Sequence, residues 1–138
     1  MKGIERPNTI TLVIIATIVS FIIGVVKTYI LFPSTVELSE FQLKVIVVFT
    51  LVVIMLLGVI LYLIWKGKNW CRIIYAVFAI VGLVPFINAI NQELNYSLLL
   101  AVISIIQVSL QLSATVLLYL PETNSWFSSI KASKYTLN

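Results

Sequence analysis

Ser104, Gln107, Gln111 and Thr115 are the residues whose types and spacing point most directly to chemistry. They stand three, four and four positions apart, so on a helix they share one face. An amide left unsatisfied in hydrocarbon costs on the order of several kcal/mol, so both glutamines need partners. One reading is a polar seam that hydrogen-bonds to neighbouring helices or to a second copy, each bond contributing roughly 0.6–2 kcal/mol. The other is the lining of a narrow path for water or a neutral solute. The seam takes precedence, because polar residues in membrane helices commonly hold helices together.

A second candidate group carries charge: Lys27, Glu37, Glu40 and Lys44. Lys27 falls roughly 28 Å along its apolar run at 1.5 Å per residue, near one membrane boundary. Its stem can snorkel outward, with Glu37 or Glu40 as the expected partner of its ammonium. Lys44 follows Glu40 by four positions, a favourable helical spacing. An intramembrane charge is a functional candidate, but this depth favours snorkelling. Cys71 lies beside Arg72, yet the chain has no histidine to complete a cysteine nucleophile. A single cysteine excludes an internal disulfide and any Cys-x-x-Cys redox or zinc motif. No catalytic residue, metal site or cofactor is expected, and a non-enzymatic protein is.

The elements that must position these residues are membrane helices. Of 138 residues, 61% are hydrophobic and only 10% charged. A soluble domain carries about a quarter charged residues, so the lipid bilayer must be this chain's main solvent. The net charge of +4 is spread over short segments between apolar runs and forms no nucleic-acid patch. Four apolar runs cover about 9–32, 41–65, 70–90 and 96–120, followed by a tail at 122–138. Each has the roughly 20 residues needed to cross the hydrocarbon as a helix. The first run is too long for the core of a signal peptide and is expected to stay as a span. Pro33 is expected to end the first helix, and Ser39 with Gln42 to form a capping box opening the second, with Ser34 and Glu37 offering an earlier start. Gly67 suits a C-terminal cap, while Asn69 and Asn95 can cap the third and fourth helices. Pro85 is expected to kink the third. Thr17, Ser20 and Gly24, and likewise Ala76, Ala79 and Gly82, make small-residue faces suited to close packing.

Seven of the nine basic residues fall before the first span, between the second and third, and after the fourth. With four spans these segments share one side, and Glu37, Glu40 and Glu93 take the other. The positive-inside rule then places both termini in the cytoplasm. Trp65, Trp70 and Trp126 fall at that interface, where their amphipathic rings would serve as anchors. Trp126, Phe127 and Ile130, with Lys131 and Lys134 nearby, suit a short helix lying on the inner leaflet. The expected fold is therefore all-α: one transmembrane domain, an integral membrane four-helix bundle with a short C-terminal interfacial helix. All five carboxylates are expected outside the hydrophobic cores.

The segment Gly67-Lys68-Asn69-Trp70-Cys71-Arg72, with Leu117-Leu118-Tyr119-Leu120-Pro121 and Trp126-Phe127, resembles a family of small bacterial four-helix inner-membrane proteins. That family carries a Gly-Lys/Arg-Asn-Trp-Ala-Arg hairpin between spans two and three, and Cys71 replaces its alanine. The resemblance implies the architecture and a bacterial inner-membrane location, and it brings no function. Small multidrug transporters need a glutamate in the first helix, which is lacking here. Dual-topology fluoride channels do not fit the charge bias, and quinone-linked thiol enzymes need paired cysteines. Membrane kinases need clustered carboxylates. The expected function is helix–helix binding to a membrane-protein partner or to itself as a homo-oligomer. An immunity protein against a pore-forming toxin and a small channel or transporter for a neutral solute, lined by the fourth helix, are the alternatives.

Overall fold

The computed structural model describes residues 5–35 and 39–135. Within them the chain is all-helical: α1 (Asn8–Thr35), α2 (Glu40–Trp65), α3 (Asn69–Tyr96), α4 (Leu98–Leu117) and α5 (Pro121–Tyr135). The first four are long and apolar enough to cross a membrane. Their outer surfaces agree with that length: Phe49, Val84 and Leu98 are 68%, 67% and 71% exposed, which suits lipid and not water.

Local signals set the helix ends. Ser39 and Gln42 form the reciprocal capping box: Gln42 N–H donates to Ser39 Oγ at 3.3 Å, and Ser39 N–H donates to Gln42 Oε1 at 3.0 Å. At the other end of α2, Gly67 N–H donates to the Ile64 carbonyl at 2.9 Å and Lys68 N–H to the Leu63 carbonyl at 3.0 Å. This pair of bonds is a Schellman cap, and it requires the left-handed φ of +73° at Gly67. Several ends differ from expectation. The first helix continues past Pro33 to Thr35. The third begins after Lys68, because the Asn69 side chain turns to Arg72 instead of capping. It then runs to Tyr96, beyond the expected end at 90, so Asn95 lies inside α3. Ser97, not Asn95, is the N-cap of α4, which ends at Leu117 and not at 120.

Successive helices alternate in direction. Along α1 from Ser20 to Lys27, the partners on α4 move back from Gln107 to Ser104, so these two helices are antiparallel. Partners of α1 on α3 advance together, Tyr75 with Thr17 and Glu93 with Lys27, so those two run parallel. The tight α2–α3 turn, the start of α1 and the end of α4 thus lie at one end, here the hairpin end.

The apolar core gathers at the hairpin end. Ile10, Val13, Ile60, Leu61, Ile64, Cys71, Tyr75, Ala114, Leu118, Trp126 and Phe127 form one buried cluster. The only buried residues of α2 are Ile60, Leu61 and Ile64, all near its last turns. Away from that end α2 is exposed on most faces, with Phe41, Val48 and Leu51 at 74%, 60% and 59%. Helix α5 closes the hairpin end by burying Trp126 and Phe127, whose rings meet edge-to-face at 4.8 Å. Trp126, expected as a lipid-interface anchor, is instead a core residue, because α5 lays its aromatic face on protein.

Candidate functional site

A column of polar side chains runs between α1, α3 and α4. The small-residue face of α1 builds one side of it, since Thr17, Ser20, Gly24 and Lys27 recur every three or four positions. Nearest the hairpin end, Thr17 Oγ1 donates to the Val13 carbonyl at 2.7 Å and lies 2.7 Å from the Tyr75 hydroxyl. With the threonine proton already used, Tyr75 is the donor between the two hydroxyls. One turn on, Ser20 Oγ donates to the Gln107 carbonyl at 3.0 Å. Gly24 leaves room for the Gln107 amide: a Cβ there would stand 2.5 Å from Gln107 Nε2.

The column ends in a closed ring of three groups. Lys27 Nζ donates to Glu93 Oε1 at 2.6 Å and to Ser104 Oγ at 2.5 Å, and Ser104 donates to Glu93 Oε2 at 2.5 Å. The side chains of Lys27 and Glu93 are 15% and 9% exposed. Opposite charges inside lipid must pair, and the serine satisfies a remaining valence on each. The ring also tests a serine–lysine nucleophile. Such a dyad needs a lysine nitrogen that accepts the serine proton. Here that proton is directed to Glu93, and the lysine donates to both partners.

A second polar knot holds the hairpin end. Arg72 Nη1 donates to the Leu118 carbonyl at 3.0 Å and to Asn124 Oδ1 at 2.6 Å, and Nη2 donates to Asn69 Oδ1. Its guanidinium lies 4.3 Å from the Phe127 ring centroid and 5.4 Å from that of Tyr119. Thr9 and Thr123 join α1 to α5 through their hydroxyls at 3.0 Å. The knot satisfies the end of α4 and clamps α5 in place.

Between the column and α2 lies a partly open cavity of about 340 Å³. Thr17, Ser20, Tyr75, Gln107 and Gln111 line one side, and Phe49, Val53, Leu56 and Leu57 of α2 line another. No lining residue carries a charge.

The residues singled out in the sequence divide accordingly. Ser104 belongs to the charged ring, while Gln107 and Gln111 face the cavity. Thr115 donates back to the Gln111 carbonyl at 2.9 Å, within its own helix. The four thus share a face of α4 without making one seam. Lys27 pairs with Glu93 and not with Glu40, and Glu37 lies outside the described residues. Glu40 and Lys44 form an exposed pair at 3.8 Å, so the expected four-residue charge cluster divides. Trp65 and Trp70 are about half exposed, and the Arg6 guanidinium lies 4.1 Å from the Trp65 ring centroid. Glu93, expected outside the hydrophobic core, is buried because α3 continues past Ile90. Its signal was present: Tyr75, Ala79, Gly82, Phe86, Ala89 and Glu93 continue one helical stripe with no glycine or proline after Ile90. Arg72 and Tyr75 were missed because a lone polar residue near a span end has the same pattern whether it faces headgroups or protein.

Compared with known proteins, the chain matches no family model, no curated protein and no solved structure.

Proposed function

We propose that this is a non-enzymatic multi-pass protein of the bacterial inner membrane, with both termini cytoplasmic, that works by binding another membrane component beside α2. The observation that carries the reading is the uneven attachment of α2. Three residues near its hairpin end are buried, while Phe49, Val53, Leu56 and Leu57 farther along stand beside the cavity. A concave, mostly apolar crevice between helices with a few convergent polar groups is the usual shape of a binding site. The basic residues collected at the hairpin end support the orientation. In the charged ring the lysine and the serine both donate toward Glu93, and Arg72 is spent on carbonyl and amide oxygens at the hairpin end, which supports binding over chemistry.

The test is photo-crosslinking in intact membranes with a benzophenone amino acid at Phe49, compared with Ile22 on the exposed face of α1. A discrete, saturable adduct at Phe49 and only diffuse lipid labelling at Ile22 is the expected result. Identical diffuse labelling at both positions overturns the reading.

One observation favours a second reading, a path for a neutral solute: Gln107 and Gln111 both lie on the cavity wall. Against it, neither Ser104 nor Thr115 belongs to that wall, so the stripe does not line a continuous route. Single cysteines at 107 and 111, in a Cys71→Ser background, separate the two. Labelling by a membrane-impermeant thiol reagent at these depths would favour the path, and its absence the binding crevice.

A further inference from the structure

The cavity's chemistry narrows what occupies it, given the binding reading above. Its volume of about 340 Å³ is at the small end of pockets that take single organic ligands. Its lining contains no charged side chain, so neither an ionised carboxylate nor an ammonium finds a counter-ion there. The hydroxyl protons of Thr17, Ser20 and Tyr75 are already donated. The side-chain amides of Gln107 and Gln111 differ, making no hydrogen bond among the described residues. That of Gln107 packs against Gly24, which leaves the Gln111 amide as the one facing α3. It presents two donors and one acceptor to the cavity, and Gly82 opposite leaves it space, a Cβ there standing 3.9 Å from Gln111 Nε2.

Depth completes the argument. On α2 the lining runs from Phe49 to Ile60, between helix ends at Glu40 and Trp65. At 1.5 Å per residue, it stops about 14 Å short of one end and about 7 Å short of the other. A phospholipid headgroup is tied to the interface and cannot bring its polar atoms to that depth. A lipid without charge has no such tether.

We propose that the cavity binds a neutral amphipathic lipid: an apolar chain or ring bearing one carbonyl or hydroxyl group. That group meets the Gln111 amide in mid-membrane. The apolar body lies against Phe21, Phe49 and Phe78.

The experiment uses the full chain in vesicles of phosphatidylethanolamine and phosphatidylglycerol, with a photoactivatable diazirine analogue of decanol as the probe. The diazirine analogue of decanoic acid at neutral pH serves as the charged control. Labelled peptides are mapped by mass spectrometry. Expected is labelling of the α2 and α3 walls by the alcohol, competed by unlabelled decanol, with little from the acid. Gln111→Leu should weaken that competition about tenfold, as the loss of one buried hydrogen bond would. Gly82→Leu, which fills the space and leaves the amide, should abolish labelling by volume alone. Absence of competition, equal labelling by the acid, or an unchanged response in a folded Gln111→Leu protein overturns the proposal. A discrete protein adduct at Phe49 without competition by decanol leaves the general binding reading standing and removes this one.

Discussion

Lys27 and Glu93 lie 66 positions apart and meet at 2.6 Å, joining α1 to α3 within segments otherwise built for lipid. Ser104 of α4 touches both, so three helices converge on one pair of charges. The ring is neutral as a whole, which is what makes it tolerable at that depth.

Removing one charge strands the other. Lys27→Met or Glu93→Leu alone should destabilise the folded protein by about 3–5 kcal/mol. The double variant should recover most of that loss, because two apolar side chains leave no uncompensated ion. Thermal unfolding in detergent, followed by circular dichroism, reads both. Equal damage in single and double variants would mean that packing, not charge, holds the three helices.

The other ion pair offers a contrast. Glu40 and Lys44 are 92% and 77% exposed, and their atoms stand 3.8 Å apart. Glu40→Gln should change stability by no more than about 0.5 kcal/mol in the same assay.

Gly67 and Gly24 should respond differently to alanine. At Gly67 the new Cβ meets Ile130 while the backbone holds a φ of +73°, so strain and displacement of α5 act together. A loss of about 1–3 kcal/mol is expected, with faster proteolysis between α4 and α5. At Gly24 the obstacle is the far end of the Gln107 side chain, which can swing aside, so a loss of about 1 kcal/mol is expected.

Arg72→Lys keeps the charge and gives up the fork that reaches Leu118, Asn124 and Asn69. Release of α5 should follow, seen as protease cleavage after Leu120 in variant but not parent vesicles opened at the hairpin end. Protection equal to the parent would assign the docking of α5 to Trp126 and Phe127 alone.

Cys71 is fully buried in the apolar cluster. Maleimide should therefore label it only after denaturation, although it sits near the end of a helix. Rapid labelling of the folded protein would contradict the packing of α5.

The spans were legible because runs of some twenty nearly uncharged residues have few other solutions. The capping box at Ser39 and the glycine cap at Gly67 were legible because each is a local contract between residues a few positions apart. The pairing of Lys27 was not: its nearest candidates in sequence lie ten and thirteen positions on, and its partner lies 66 away. The end of α3 was misjudged because Asn88, Asn91, Gln92 and Asn95 lower the apolar character of a stretch that is still helical. Trp126 was misread for a different reason. An aromatic face at helical spacing with lysines behind it fits a lipid surface and a protein surface equally well, and here protein lies beneath it.

The geometry of α2 has a mechanical corollary. Its support is confined to the end next to the rigid Gly67 cap, while Phe49 stands about 25 Å away along the helix. It is a lever with its fulcrum at the turn. A tilt of about ten degrees there moves Phe49 by about 4 Å, comparable to the thickness of one hydrocarbon chain, at little cost in buried contact. Small adjustments of packing around Ile60 and Ile64 are thereby converted into large changes in clearance between Phe49 and the facing wall.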